Sequence, residues 1–506
     1  MFSSKRMRDA ALVLIAFFAV AGVNARFAGA QTEQSVVHVD VHATATPFPH
    51  FWEGMFGSGR AILTLRESYR SDLRAVKQIT NFQYVRFHAI LHDELGVYNE
   101  DEHGNPVYNF NYVDQVYDGL LQNGVRPVVE ISFMPKKLAF NPDALHPFWY
   151  KQNVSPPKSM EKWDDLMVHF ARHLVDRYGI DEVSKWYFEV WNEPNIDFWN
   201  GIPRQESYFD LYAHTARDIK SVNSRLRVGG PATAAAAWIP EFLQFAHENK
   251  VPVDFVSTHG YADEPVKRLL GTDEVIAPED RMGAVVAKVR HQIDSSSIPH
   301  LPLLWTEWNV YPEKDARETP YVGPAVANVI RECDGLADYL SFWTFSEVFE
   351  EGGPATAPFQ NFGLRAMGGI NKPAFYDYAL LHQLGDKRLA NPAKDALVTT
   401  AADGSLTIAI WNLVDPDAKG HDKDVTLSLS GVKPDAKVSV QVVDDTHGNV
   451  MPFYRKMGSP VSPTAAQVEE LNRDSAPGAP QETQLRNGEL RLTLASNALV
   501  LIKVRP

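Results

Sequence analysis

Between about Phe51 and Leu384 the chain repeats one rhythm, a short apolar run followed by a stretch whose apolar positions recur at helical spacing. That alternation predicts repeated βα units and a parallel sheet. Eight runs are candidate strands: Trp52 to Gly57, Tyr84 to His88, Val125 to Ser132, Trp186 to Trp191, Arg227 to Gly230, Phe255 to Thr258, Leu303 to Trp305, and Tyr339 to Phe345. The helices between them are legible. Val113, Val116, Tyr117, Leu120 and Leu121 form one stripe ending at Gly124. Trp163, Leu166, Met167, Phe170, Leu174 and Tyr178 form another ending at Gly179, and both glycines stand where a helix C-cap calls for one. Eight strands over this length fit a (β/α)8 TIM barrel with extended loops better than an open doubly wound sheet.

Beyond Asn391 the period changes to two, in Leu406, Ile408 and Ile410, in Val425, Leu427 and Leu429, in Val438, Val440 and Val442, and in Leu490, Leu492 and Leu494. This predicts a smaller all-β sandwich after the barrel, with Asp403-Gly404 and Asn487-Gly488 as hairpin turns. Val36 to Val41 also alternates and is expected to add a strand to that sandwich. Gly458 to Gln484, rich in Pro, Ser and Ala, is expected to be a long surface loop. The resulting organisation is a signal peptide over residues 1–30, an N-terminal strand segment over 31–47, a barrel over 48–390 and a β-sandwich over 391–506.

The signal peptide rests on Lys5, Arg6 and Arg8 before the apolar run Ala10 to Val23, then Ala28-Gly29-Ala30 as a cleavage site. The run is shorter than the roughly 20 residues of a membrane span, so the mature chain is expected to be exported, periplasmic or secreted, with no membrane insertion after cleavage. A formal charge of −14 disfavours polyanionic partners, so no nucleic acid is expected. The single cysteine, Cys333, excludes an internal disulfide, a CxxC pair and any multi-Cys zinc site.

Two segments carry the chemistry, Trp191-Asn192-Glu193-Pro194-Asn195 and Trp305-Thr306-Glu307-Trp308-Asn309, each closing an apolar run. Pro194 cannot continue a central ladder, so that strand stops at or before Glu193. Barrel active sites are built from such strand ends at the carboxyl-terminal rim. Two carboxylates among aromatics suit glycosidic bond hydrolysis, in which one protonates the leaving oxygen and the other attacks or stabilises the anomeric carbon. A lone glutamate beside a tryptophan is more often a surface residue or ion-pair partner; two such motifs on two strand ends make the catalytic reading the stronger one. There is no HExxH, Walker loop, strand-following GxGxxG or GxSxG elbow. No cofactor or metal is required, and the scattered Asp and His residues offer no defensible ligand spacing.

The order of motifs resembles the retaining glycoside hydrolases of clan A and, within it, family 39, the β-xylosidase and α-L-iduronidase family. Its supports are Tyr84-Val85-Arg86-Phe87-His88, Trp191-Asn192-Glu193-Pro194-Asn195, Gly229-Gly230-Pro231, Ser257-Thr258-His259-Gly260-Tyr261, Thr306-Glu307-Trp308-Asn309, Phe342-Trp343-Thr344-Phe345 and Asn371-Lys372-Pro373-Ala374. The resemblance implies Glu193 as general acid/base and Glu307 as nucleophile. It implies Asn192 on the sugar 2-hydroxyl, Arg86 and Tyr261 beside Glu307, His259 and Trp343 lining the sugar subsite, and His88 on neighbouring hydroxyls. The acid/base role asks that the Glu193 pKa be raised by burial and by the charge on Glu307.

The activity implied first is an exo-acting β-xylosidase releasing xylose from xylo-oligosaccharides by double displacement. An endo-acting exopolysaccharide hydrolase and an α-L-iduronidase are the alternatives, and a non-catalytic carbohydrate-binding protein is a remote one. The partner is then an oligosaccharide or polysaccharide substrate, with a homo-oligomer left open.

Overall fold

The computed structural model describes residues 33–310, 316–360, 362–416 and 418–505. The export signal expected over residues 1–30 lies outside them. Eight parallel strands close a barrel: β1 (Met55–Arg60), β2 (Tyr84–His88), β3 (Arg126–Ile131), β4 (Tyr187–Val190), β5 (Arg227–Thr233), β6 (Phe255–His259), β7 (Leu303–Trp308) and β8 (Tyr339–Phe342). Phe342 of β8 pairs with Phe56 of β1 and shuts the ring. Each strand falls on an expected run, with ends displaced by no more than three residues. The first begins at Met55 instead of Trp52 because Pro49 to Glu53 form a turn, the Glu53 N–H bonding to the His50 carbonyl.

The period of two along each strand stacks the interior in layers. At the foot, Met55, Tyr84, Val128, Tyr187, Phe255 and Leu304 pack into an apolar plug with Tyr339 against it. Two residues further along their strands stand Arg86, Glu130, Glu189 and Thr306, which bond to one another. A charged layer is therefore sealed from below by hydrocarbon and aromatic rings. The helix Met160–Tyr178 shows how local sequence holds the outer ring. Ser159 Oγ caps it by accepting from Lys162 N–H, its buried stripe is Trp163, Leu166, Met167, Phe170 and Leu174, and Gly179 ends it at φ +79°.

The β-sandwich has one sheet of three strands, Glu33–Asp40, Lys423–Ser430 and Glu489–Leu494, and a second of seven. Glu33–Asp40 runs parallel to Lys423–Ser430. The seven-stranded sheet starts from Ala45–Pro47 and Lys387–Leu389, so a strand that the sequence boundaries leave within the barrel segment belongs to the sandwich. Val37, Val39, Val398, Ile408, Val425, Leu427 and Ile502 fill the space between the sheets. The other face of the large sheet, through Leu397, Ala409, Trp411, Val443, Leu499 and Leu501, packs into the same core as the barrel helices. One hydrophobic body thus includes the barrel and the back of the sandwich. Among the described residues no helix is long and apolar enough to cross a membrane.

The expected surface loop Gly458 to Gln484 is corrected by the structure, which places a helix at Ala465–Asp474 and a strand at Gln481–Gln484. The signal was present in Thr464-Ala465-Ala466-Gln467, a capping box in which Thr464 Oγ1 accepts from Gln467 N–H and Gln467 Oε1 accepts from Thr464 N–H. Leu471 is buried on the inner side, and Asn472 accepts from Asn371 N–H and donates to the Gly369 carbonyl. Replacing Thr464 with Ala is expected to remove about 1 kcal/mol from this helix. Hydrogen exchange should show lower protection over residues 465–474 with the barrel strands unchanged.

Candidate active site

The charged layer above the plug is organised by Arg86, a fully buried guanidinium on β2. Its Nε donates to Glu189 Oε2 at 2.5 Å and its Nη1 to Glu307 Oε1 at 2.6 Å. Its Nη2 donates to Asn192 Oδ1 at 2.9 Å and lies 2.8 Å from Glu130 Oε2. Burial alone would lower the Arg86 pKa, but Glu189, Glu130 and Glu307 together raise it, so the cation is permanent. His88, one turn of the pleat further along the same strand, gives Nδ1 to Glu130 Oε2 at 2.7 Å. Burial works against its charge, yet Glu130 raises its pKa to about 9, which makes it an imidazolium at neutral pH.

Glu193 follows β4, and Glu307 lies within β7. The backbone that carries Glu193 is left-handed at Trp191, φ +71°, and at Glu193 itself, φ +43°. Such conformations cost about 1–3 kcal/mol each in non-glycine residues and persist only where the surroundings hold them. Here Trp191 N–H bonds to the Ile131 carbonyl, its indole Nε1 to the Phe198 carbonyl at 2.7 Å, and Glu193 N–H to the Ala232 carbonyl at 2.8 Å. Pro194 in addition disfavours the right-handed helical alternative for Glu193. The outcome is that an oxygen of Glu193 and an oxygen of Glu307 lie within 4.8 Å of each other, with His259 Nδ1 between them.

The two carboxylates have different surroundings. Glu307 receives Arg86 on Oε1 and the Tyr261 hydroxyl on Oε2 at 2.8 Å. Glu193 meets His259 Nδ1 at 3.0 Å, and burial pushes the His259 pKa down to about 4, so that imidazole is neutral. Burial likewise pushes the Glu193 pKa up to about 7, against the opposing charges of His88, Arg86 and Arg268. Burial, one of the two causes expected from the sequence, is the larger one, and the neighbouring anion that adds to it most is Glu130 in place of the expected Glu307. The trio Glu193, His259 and Glu307 also has the spacing of a metal-ligand set. The Arg86 guanidinium already on Glu307 and the imidazolium of His88 would repel a second cation there.

Above these groups opens a cavity of about 310 Å³. Of the residues expected at the site, His88, Asn192, Glu193, Tyr261, Glu307 and Trp343 line it. Arg86 and His259 do not: both are fully buried behind the wall. His259, expected at the sugar subsite, faces both glutamates from the end of β6, its Nδ1 3.0 Å from Glu193 Oε1 and 3.6 Å from Glu307 Oε1. Trp343 packs so closely on β1 that a Cβ on Gly57 would fall on its ring. Asn309 donates to the Trp343 carbonyl from the far side.

The wall also holds residues that sequence reasoning missed. Phe148, Phe198 and Phe362 add aromatic surface, and Asp263, Glu264, Glu351 and Arg317 add charge. Burial pushes Glu264 up to about 7 and Glu351 up to about 8, so each is a donor as well as an acceptor near neutrality.

Residues 35–489 match the model of glycosyl hydrolases family 39. The chain belongs to glycoside hydrolase family 39. This family 39 hydrolase is 37% identical over 472 residues to a β-xylosidase of Geobacillus stearothermophilus, covering 90% of this chain and 93% of that one. A monomeric β-xylosidase from Caulobacter crescentus CB15 superposes with a TM-score of 0.83 at 34% identity, over 93% of this chain and 99% of that one. An α-L-iduronidase of Mus musculus is a more distant relative, 24% identical over 84% of this chain and 73% of its own.

In the hydrolase, Glu130 and Glu189 had a readable signal, each being a carboxylate within an otherwise apolar strand, as in Val128-Val129-Glu130-Ile131 and Tyr187-Phe188-Glu189-Val190. A charge in such a run is buried and must be paired. The loop residues had none. Gly57→Ala is expected to displace Trp343 into the cavity. A misplacement on the order of 1 Å costs about 100-fold in turnover efficiency; steady-state kinetics on an aryl glycoside should show that loss, with a melting temperature close to wild type.

Proposed function

We propose that this hydrolase is a retaining, exo-acting β-xylosidase that removes xylose from the non-reducing ends of xylo-oligosaccharides. The observation that carries the mechanism is the approach of Glu193 and Glu307 oxygens to within 4.8 Å. Retaining enzymes hold their carboxyl groups about 5–5.5 Å apart, whereas inverting enzymes need about 6.5–9.5 Å to admit a water. In the first step Glu193, protonated, gives its proton to the glycosidic oxygen while Glu307 attacks the anomeric carbon. The C–O bond to the leaving group breaks as the ester to Glu307 forms. In the second, Glu193 as carboxylate takes a proton from water, whose oxygen displaces Glu307 and releases the sugar. Arg86 and Tyr261 hold Glu307 in its attacking geometry. Asn192, its Oδ1 engaged by Arg86, has the amide nitrogen left to donate to the 2-hydroxyl.

The two β-xylosidases support the pentose reading. So does the cavity, at the small end of the roughly 300–1,000 Å³ of ligand pockets and suited to one terminal sugar. For an iduronide carboxylate the Arg317 guanidinium in the wall is already engaged, lying 3.8 Å from Asp263 Oδ2. Export is proposed with this function, on the residues before Gln31.

Aryl β-xyloside, α-arabinoside, β-glucoside and α-iduronide substrates should be turned over with the β-xyloside preferred. Glu193→Gln is expected to lose about 100- to 10,000-fold on poor leaving groups, much less on activated ones, and to recover turnover with azide. Glu307→Gln should lose activity on all of them, and equal losses for Glu193→Gln on good and poor leaving groups would refute its role.

The pH dependence follows from the sign of the proton transfer. The acid form of Glu193 is required for the first step, so kcat/KM should be retained below about pH 7 and fall as pH rises through it. The Glu193→Gln variant should lack that basic limb on activated substrates. Turnover of the wild type should persist in excess EDTA.

A further inference from the structure

At the foot of the barrel, on the side opposite the cavity, a second group of ionisable side chains takes no part in the chemistry above. Glu53, in the turn that leads into β1, has a completely buried carboxylate. Among the described residues its ion-pair partners are two imidazoles. His50 presents Nδ1 to Oε1 at 2.6 Å, and His382 presents Nδ1 to both oxygens at 2.9 Å. His382 follows the last barrel helix, Pro373–Leu381, so residues that are distant in sequence meet here. The three donor atoms lie within 4.8 Å of one another.

Four features of this group are those of a metal site. Two imidazole nitrogens and a carboxylate oxygen are a donor set of three-ligand zinc centres, with a fourth position left for water. Both rings turn the same nitrogen toward one carboxylate. Ligands at 2.0–2.1 Å from a tetrahedral ion stand about 3.3 Å apart, so the two nitrogen–oxygen contacts, 2.6 and 2.9 Å, need to open by about 0.4 to 0.7 Å. The imidazole side chains remain 17% and 42% exposed, which gives an ion a path in, while the His50 ring is fixed by stacking on Trp52 at 4.5 Å. The segment that enters the barrel and the residue that leaves it would be joined by such an ion.

We propose that His50, Glu53 and His382 form a binding site for one divalent transition-metal cation of the Zn²⁺ type, which fastens the foot of the barrel and is separate from catalysis. Binding replaces the proton shared between each Nδ1 and the carboxylate, with no change of oxidation state.

The test uses the full-length chain without a histidine tag, dialysed against chelator and titrated with ZnCl2 by calorimetry and thermal melting, and with CoCl2 by visible absorption. The expected result is one Zn²⁺ per chain, a raised melting temperature and saturable d–d bands of tetrahedral Co²⁺. His382→Gln keeps a hydrogen-bond donor for Glu53 but removes the imidazole. It should weaken Zn²⁺ binding by at least the ~10- to 100-fold that changes to outer-shell partners alone bring, with aryl xyloside turnover intact. Absence of saturable Co²⁺ bands in the wild type overturns the proposal whatever the variants do. So does equal Zn²⁺ binding by wild type and His382→Gln. Binding lost in Glu193→Gln but kept in His382→Gln would place the ion in the catalytic cavity and also overturn it.

Discussion

The site depends on one buried cation. A guanidinium removed from water is tolerable only when each of its donors finds an acceptor, and Arg86 finds them on three carboxylates and an amide. Those acceptors come from β3, β4, the segment after β4, and β7, so the same charge that is being satisfied draws together the elements that build the cavity. Removing one partner of a buried pair costs about 3–5 kcal/mol because the other charge is stranded. Glu130 and Glu189 are therefore as necessary to the site as the residues that face the cavity, although neither reaches it. A lysine could not replace Arg86, since a single ammonium lacks the planar fork that serves Glu307 on one side and Asn192 on the other.

The same arrangement separates the two glutamates. Arg86 reaches Glu307 but not Glu193, whose direct partner is His259. Because His259 is buried and neutral, it offers Glu193 a hydrogen bond without a charge, and burial is left free to hold the proton on that carboxyl. Two carboxyl groups only a few ångströms apart thus come to differ through which one the cation touches. On the proposed mechanism this difference is the assignment of acid and nucleophile.

How much of this could be read from the chain follows from the kind of constraint each residue obeys. The eight strands and the two long helices were legible because burial imposes a period on the sequence, and Glu193 and Glu307 because strand ends in a barrel have a known destination. Trp343 and Tyr261 were reached through the family resemblance, and the structure brings them to the cavity. The helix Ala465–Asp474 was missed because composition was weighed above a four-residue cap signal. His259, reached through the same resemblance, is fully buried and faces both glutamates from the end of its strand. Glu351, Glu264 and Arg317 could not be found, because loops have no period and their approach is decided by tertiary packing. His50 and His382 escaped for the same reason: no spacing connects residues at the two ends of a barrel until the ring has closed.

On the proposed function the strands supply the reaction and the loops the choice of substrate, and the structure braces the two differently. The loop after β8, which carries Glu351, is tied down by ion pairs at both of its faces. Lys372, wholly buried, holds Glu347 at 2.6 Å and Glu318 at 2.9 Å, while Glu350 receives Arg60 and Arg66. Arg60 is the last residue of β1, and Lys372 immediately precedes the helix that packs beneath the sandwich sheet. The rigidity of the wall near Glu351 is thereby referred to the barrel on one side and to the sandwich interface on the other. A module that, among the described residues, contributes none to the cavity wall still sets how firmly one side of it stands, so the continuous core between the two domains is a physical reason for the sandwich to be present in a hydrolase whose candidate site lies in the barrel.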